Sequence, residues 1–471
     1  MGLPLFERKV DHKPSLRRIL MSSTMALDGL STEILLNILE CLTPLDILCA
    51  SRASSLLYRT FIAYKHHLIR HAPRESIHPT CRADVLTALD AQKIPHLLKF
   101  GEPITKVKLE CFSLFSNDRT RRRQSHDELE VNADNLDTLF YLQADIERLI
   151  DAYCDWALGN LSHYQEKPAQ YHTTTGHPRS NLSPTEVGRL QRAFYRCEVY
   201  TRFQRVLSLL DKGGALNFSQ IVLSFVSQFT LYEFEEFVCV QQFLAQFIRS
   251  LCEKVEDDFF SHLLSSTAGA GAEQKTDPEN ISQLLDDSGL SFFTKSYRDK
   301  HHSSHMKYLI SCGLPYILHL SLMEPPKLKR AILKSYMDSQ GFAGTVFFSQ
   351  GALDLESCDE KQREVFLRGK IVDIPEDRLD GPNLGWKWGT SFQDFVKSDS
   401  PALYDLRDRG YVFWDRERLQ QSGMVDEPFV VCVGANYLPS GHHGPFVGLS
   451  VAERLDDLKL DAEAVSKWKS L

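Results

Sequence analysis

Three histidines lie close together in the stretch HHSSH, at His301, His302 and His305. His301 and His305 are four residues apart, a spacing at which two imidazoles on one face of a helix can chelate a metal ion. No acidic residue lies between them, as one would in an H-E-x-x-H motif. We therefore interpret this stretch as a solvated polar segment and expect no metal site.

Other stretches with chemical potential have weaker motifs. Residues 441–448 (GHHGPFVG) have no lysine and no G-x-S-x-G motif, and residues 268–272 (AGAGA) follow no predicted strand, so both are interpreted as loops. The eleven cysteines include no C-x-x-C pair. No carboxylate pair, triad or Cys–His arrangement stands out. We predict a protein that is not an enzyme and binds no cofactor, and an unrecognised helical enzyme is the weakest alternative.

Two groups of residues are suited to recognition. Arg119, Arg121, Arg122 and Arg123 form a basic cluster that fits a nuclear-import signal or a contact with an acidic partner, although a solvated loop is the simpler interpretation. Five aromatic residues near the C-terminus can line a recognition groove, but core packing is favoured. They are Trp386, Trp388, Tyr411, Phe413 and Trp414.

The composition is that of an ordinary globular protein. The 471 residues are 43% hydrophobic and 25% charged, with a net charge of −8, which argues against a surface that binds nucleic acid throughout. The scattered cysteines are typical of free thiols in a reducing compartment. The N-terminus lacks the apolar core of a secretory signal, and no run of eighteen apolar residues occurs. We expect a cytoplasmic or nuclear protein that does not enter a membrane.

The hydrophobic periodicity is helical almost throughout. Three short helices are expected over residues 30–72 and another over 82–98, followed by long helices over 133–161, 184–211 and 217–264. Further helices are expected over 292–312, 326–336 and a pair over 403–420, and residues 428–436 resemble one buried strand. In the helix over 133–161, one face carries most of the apolar residues. These are Leu136, Leu139, Phe140, Ile146, Leu149, Ile150, Tyr153 and Trp156.

The stretch from Leu30 to Arg52 is exceptionally apolar. Its first helix has Leu30, Ile34, Ile38 and Leu42 at intervals of four, with Leu35 and Leu39 in the adjacent row. Ser31 is a plausible N-cap of this helix, Thr43 followed by Pro44 begins the second, and Ser54 or Ser55 begins the third. Three helices of this size cannot bury their apolar surface well by themselves. The surplus must be covered by the rest of the chain or by another protein.

This stretch resembles the F-box, a three-helix motif that binds the Skp adaptor of cullin-RING ubiquitin ligases. Segments 231–244 (LYEFEEFVCVQQFL) and 406–419 (LRDRGYVFWDRERL) are also similar to parts of large, mostly helical fungal F-box proteins. The positions that carry the F-box likeness are Leu30, Glu33, Ile34, Leu35, Ile38, Leu39, Leu42, Pro44, Asp46, Ile47, Leu48, Ser51 and Arg52.

The chain is expected to be mostly α, with a flexible tail (1–24), the three-helix F-box unit that the resemblance implies (25–72) and an irregular all-helical C-terminal domain. That domain is expected to have a first part (73–265), a flexible linker or loop indicated by its small and polar residues (266–283), and a second part with an aromatic-rich C-terminal region (284–471). The implied partners are a Skp-type adaptor, through it a cullin-RING core, and an unidentified target protein, with no nucleic acid. The alternative is a helical scaffold whose first helices dock intramolecularly. The adaptor-binding residues implied are Leu30, Ile34, Leu35, Ile38, Leu39, Leu42, Pro44, Ile47 and Leu48.

Overall fold

The computed structural model describes seven ranges of the chain and a few single residues, and regular structure there is helical with no strand. The predicted mostly α class is therefore confirmed. No helix in these ranges is both long and apolar enough to cross a membrane. The described residues are 29–94, 131–162, 181–210, 229–267, 304–339, 381–390 and 401–425, with Leu27, Phe225, Leu285, Phe342, Val465, Lys467 and Trp468.

The helices follow one another in this order. The N-terminal ones are α1 (Thr32–Glu40), α2 (Pro44–Ala53), α3 (Ser55–Ala63), α4 (Lys65–Ser76) and, after a 3-10 turn at Pro79–Cys81, α5 (Arg82–Ala91). The long ones are α6 (Ala133–Ser162), α7 (Pro184–Leu210) and α8 (Leu231–Thr267). The later ones are α9 (Leu314–Leu322), α10 (Pro325–Asp338), α11 (Leu384–Thr390), α12 (Pro401–Asp408) and α13 (Arg416–Gln421), and residues 304–311 are helical too.

The three long helices form the centre of the main core. At 1.5 Å per residue, α6, α7 and α8 are roughly 45, 40 and 55 Å long. Helix α7 packs against α5, α6 and α8. Tyr153 of α6 makes edge-to-face contacts with Phe194 of α7, Phe243 of α8 and Phe413, at centroid distances of 6.2, 5.2 and 5.3 Å. The helices before and after the predicted linker therefore share one hydrophobic core.

Buried ion pairs join the same helices. Burial of a charge is costly unless a counter-charge and hydrogen bonds accompany it. Three arginines on one side of α7, at intervals of three and four residues, meet this requirement with carboxylates from other elements. Their pairs are Arg189 with Asp415, Arg192 with Glu236, and Arg196 with Asp84 and Glu233. Two arginines of later helices form further pairs, Arg407 with Glu235 and Arg418 with Glu186.

Capping residues define the starts of α7 and α8. Ser183 and Glu186 exchange hydrogen bonds between side chain and backbone N–H at the start of α7, and Thr230 and Glu233 do the same at α8. The helix expected over 217–264 consequently begins only at Leu231. It also continues to Thr267, two residues into the range expected to be a linker.

Several sequence-based predictions lie outside the described residues. Among them are the tail before residue 25, the arginine cluster at 119–123, the rest of the linker range, His301, His302, the strand predicted at 428–436, and the loops at 268–272 and 441–448.

Candidate interaction surface

The first three helices begin at identifiable caps. The Thr43 hydroxyl oxygen accepts a hydrogen bond from the Asp46 backbone N–H (3.4 Å), and its O–H donates to the Asp46 carboxylate (2.9 Å). Pro44 occupies the first turn of α2, where a missing N–H costs nothing. Ser54 caps α3 by accepting from the Leu57 N–H. Ser31 occupies the N-cap position of α1 without a side-chain bond to the helix backbone.

Helices α1–α4 enclose a small core of their own, to which α6 contributes Phe140. The rings of Phe61 and Phe140 are stacked with centroids 6.0 Å apart. We call α1–α4 with this core the N-terminal unit. Its buried members are Leu35, Leu39, Ile47, Leu57, Phe61, Leu68, Ile69, Ala72 and Phe140.

A buried polar chain fixes the N-terminal unit to the long helices. The backbone N–H of Leu45, in the first turn of α2, donates to Glu147 Oε2 at 3.1 Å. Gln143 donates to Glu147 Oε1 at 2.9 Å, and the Tyr195 hydroxyl donates to Gln143. A carboxylate is favourable here because the N-terminus of a helix carries partial positive charge. The unit is thus docked on α6 and is connected through it to α7.

The nine residues proposed to bind an adaptor fall into three groups. Leu35, Leu39, Pro44 and Ile47 are buried, and all but Pro44 belong to the core of the unit. Leu30, Leu42 and Leu48 are half-buried against that core. Ile34 and Ile38 remain exposed, at 46% and 37% of their full accessible surface. Direct contact with a partner in this conformation is therefore available mainly to Ile34 and Ile38, with the half-buried leucines beside them.

Sequence reasoning missed other exposed apolar residues of the same unit. Tyr58 and Ile62 of α3 are each about half exposed, and Tyr64 follows them at the end of that helix. Of the eight large hydrophobic side chains strongly exposed in the described ranges, five lie between residues 34 and 64, and Tyr141 lies next to Phe140. The sequence does carry a signal for these residues: Tyr58 and Ile62 are four residues apart, the same spacing as Ile34 and Ile38, and so lie on one face of their helix.

Charged groups border this surface. The Ser31 hydroxyl donates to the Glu33 carboxylate and lowers the pKa of Glu33. Glu40, in the last turn of α1, lies 2.6 Å from His67 Nε2 of α4. Lys65 of α4 forms a 3.0 Å ion pair with Asp137 of α6. The last two pairs connect α4 to α1 and to α6 at the edge of the unit.

The aromatic residues near the C-terminus lie in or against the core. Tyr411, Phe413 and Trp414 are fully buried, and the Trp414 indole N–H donates to the Arg409 carbonyl at 2.6 Å. Burial raises the pKa of Tyr411 well above its ordinary value. Trp386 and Trp388 are half-buried against the same core. Core packing, the favoured interpretation of these residues, accounts for their placement.

His305 is buried, which corrects the expectation of a solvated segment at this residue. Its Nε2 lies 2.7 Å from the Ser335 hydroxyl, and its ring stacks on Tyr336 with centroids 3.7 Å apart. No group of three or more potential metal ligands occurs within the described ranges.

In comparison with known proteins, the chain matches no family model, no curated protein and no solved structure.

Proposed function

We propose that this protein is the substrate-receptor subunit of a Skp–cullin–F-box ubiquitin ligase. The observation that carries the proposal is the exposure of Ile34 and Ile38 in a helix whose sequence resembles the first helix of an F-box. Burial of one such side chain is worth about 1.5–3 kcal/mol, so covering both would contribute substantially to binding. The half-buried Leu30, Leu42 and Leu48 would extend the contact.

In this role the protein performs no bond chemistry and needs no cofactor. The N-terminal unit would bind the Skp adaptor, and the helical body would hold a target protein for ubiquitination. Docking of the unit on α6 through Glu147 supports this division, because a fixed unit orients the body relative to the ligase core. Transfer of ubiquitin is then accelerated by proximity and orientation. The protein would act in the cytoplasm or the nucleus.

The exposed isoleucines provide a direct test of adaptor binding. The double substitution Ile34→Asp, Ile38→Asp should abolish co-purification of a Skp adaptor because it places two charges in an apolar contact. Neither side chain belongs to the buried core, so helicity and the melting temperature should change little. Substitution of the buried Pro44 would be less informative, because it would also alter the start of α2.

A matched control uses the two exposed apolar residues far along the chain. Leu322→Asp with Met337→Asp introduces the same charges at side chains that are 59% and 63% exposed. This control should retain the adaptor. Equal adaptor binding by both double variants would refute the proposed function.

A second candidate is a helical scaffold whose N-terminal helices serve intramolecular packing. It is favoured by the buried Leu45–Glu147 hydrogen bond and by the insertion of Phe140 into the unit. Under this alternative the unaltered protein is folded and binds no Skp adaptor, so the pull-down above separates the two candidates.

A further inference from the structure

Helix α4 is amphipathic, and its exposed side is basic. With 100° per residue, five basic side chains fall within an arc of about 140°. Arg70 and Arg74 lie near its centre, are exposed, and are one helical turn apart. The opposite side is packed into the protein through Leu68, Ile69, Ala72 and Pro73. The basic face consists of His66, His67, Arg70, His71 and Arg74.

This basic face contrasts with the charge of the whole chain. The net charge is −8, yet no aspartate or glutamate occurs between Asp46 and Glu75. Two of the arginines in that interval, Arg70 and Arg74, form no ion pair with any described residue. Like charges one turn apart on a helix repel each other, and a nearby anion would relieve that repulsion.

Few carboxylates of the neighbouring helices reach α4. Glu40 of α1 contacts His67 of the basic face, and Asp137 of α6 contacts Lys65, which lies outside the face at the start of α4. His67 also stacks on His71, with ring centroids 6.0 Å apart. The Nδ1 atom of His71 is buried without a hydrogen-bond partner in the described structure. The N-terminal half of the face therefore has an acidic neighbour at His67, whereas no carboxylate among the described residues pairs with Arg70 or Arg74.

We infer that the basic face of α4 binds an acidic segment of a partner protein. The two arginines can each form paired hydrogen bonds with a carboxylate, and the histidines add donors beside them. Exposed Tyr58, Ile62 and Tyr64 precede α4 directly in the chain, so a partner with both acidic and apolar groups fits this unit. The inference does not depend on the ligase function.

Two other polyanions fit the same face less well. Nucleic-acid binders commonly make about 6–10 phosphate contacts, and membrane-binding clusters have about 4–8 lysines or arginines. Helix α4 offers two arginines that pair with no described carboxylate, and the net negative charge of the chain opposes long-range attraction to either polyanion. An acidic peptide needs fewer charges and can use the neighbouring apolar side chains.

The experiment measures binding of the full chain to a fluorescent peptide of about twelve residues rich in glutamate and aspartate, long enough to span α4. A peptide with glutamines in place of the acidic residues is the matched probe. Single-stranded RNA and vesicles of mixed phosphatidylcholine and phosphatidylserine are the competing ligands. The acidic peptide should bind best, and its affinity should fall as NaCl rises from about 50 to about 500 mM.

The decisive variant is Arg70→Glu, Arg74→Glu, which should weaken peptide binding at least about tenfold. Arg70→Gln, Arg74→Gln should give a smaller loss without placing acids in the last turn of α4. The matched control is Arg330→Glu, Lys334→Glu, because these exposed residues also lie one turn apart on a helix. The control should bind the peptide as the parent does.

The result is unambiguous in either direction. Selective binding of the acidic peptide that is lost in the α4 variants, with unchanged helicity, supports the inference. It is overturned by equal binding of the α4 and control variants, by preference for RNA or vesicles, or by binding of none of the probes. Adaptor binding is measured separately, so failure of this inference leaves the test at Ile34 and Ile38 intact.

Discussion

At the residue scale, Glu147 connects the N-terminal unit to the long helices. It accepts from the Leu45 N–H at the start of α2 and from the Gln143 side chain, and it is buried. Glu147→Gln replaces one of the two acceptor oxygens with an NH2 group, which then faces the N–H of Leu45 or of the Gln143 side chain. Loss of a charged acceptor in such a site costs about 1–3 kcal/mol. Denaturant unfolding should show this loss in the free energy of unfolding.

Glu253→Gln is the control for that substitution. Glu253 pairs with Arg249 on an exposed side of α8, where an ion pair contributes little. A change in stability that is equally small for both variants would contradict the role given to Glu147.

A second residue, Asp408, makes stability depend on pH. Burial raises its pKa to about 7, with Asp405 adding to the effect, although Gln242 donates a hydrogen bond to its carboxylate. The unfolded value is about 4, so the folded state holds the proton more tightly. The stability that this group contributes is fully present below about pH 4 and is lost as the pH rises through about 7.

Asp408→Asn removes the ionisation and keeps an oxygen that can accept from Gln242. The variant should be more stable than the parent by roughly 1–2 kcal/mol at pH 8, less than the full pKa difference implies because the residue is partly exposed. The gain should shrink as the pH falls towards about 4. Denaturant unfolding across this range measures it, and parallel pH profiles for variant and parent would exclude the assignment.

At the element scale, α7 is held to α8 by a fully buried ion pair. Arg192 Nε and Nη2 donate to the two oxygens of Glu236 at 3.0 and 2.6 Å. Burial raises the pKa of Glu236, whereas Arg192 opposes that rise. Arg192→Met should cost about 3–5 kcal/mol, because it leaves a buried carboxylate without its main counter-charge.

The double variant Arg192→Met, Glu236→Met removes the uncompensated charge and should recover most of that loss. The comparison is made by chemical denaturation of the parent, the single variant and the double variant. A double variant no more stable than the single one would mean that packing at Arg192, including its contact with the Tyr232 ring, matters more than the charge.

The starts and ends of helices are the part of the fold that the sequence predicts best, because their signals are local. Thr43, Pro44 and Ser54 begin helices where expected. The apolar pattern alone predicts a start of α8 fourteen residues too early, because the pattern extends past the Thr230–Glu233 capping box that begins the helix. Its signal was present in the sequence.

Which apolar residues face inward could not be predicted in the same way. Ile34 and Leu35 are adjacent and similar in size, yet one is exposed and the other buried. The choice depends on which side of α1 packs against α3 and α4, and that is a matter of tertiary contacts. The candidate surface was therefore predicted as a set of nine residues, and only tertiary contacts divide them into core and surface.

At the scale of the whole molecule, α6 is shared by two hydrophobic cores. The sequence places Leu139 and Phe140 on one apolar face, but Phe140 packs in the N-terminal unit and Leu139 in the main core. The core of the unit has few members and is too small to be stable alone. Its stability should therefore depend on the side chain that α6 contributes.

This dependence predicts different patterns of local unfolding for two adjacent substitutions. Phe140→Ala removes about 3–5 kcal/mol of packing from the N-terminal unit. Amide hydrogen exchange should then accelerate by roughly two to four orders of magnitude in α1–α4 and change little in α7 and α8. Leu139→Ala is the matched control, because its cavity opens in the main core.

Unlike Phe140→Ala, Leu139→Ala should lower the protection of backbone amides from exchange in α7 and α8, because both helices pack in the main core. Exchange patterns that are identical for the two variants would mean that the cores unfold as one cooperative unit. Separate patterns would mean that the N-terminal unit can open while the helical body stays folded. Under the proposed function, adaptor capture by the Phe140→Ala variant should then weaken in proportion to the opened fraction, because only the closed unit presents Ile34 and Ile38 in a fixed geometry.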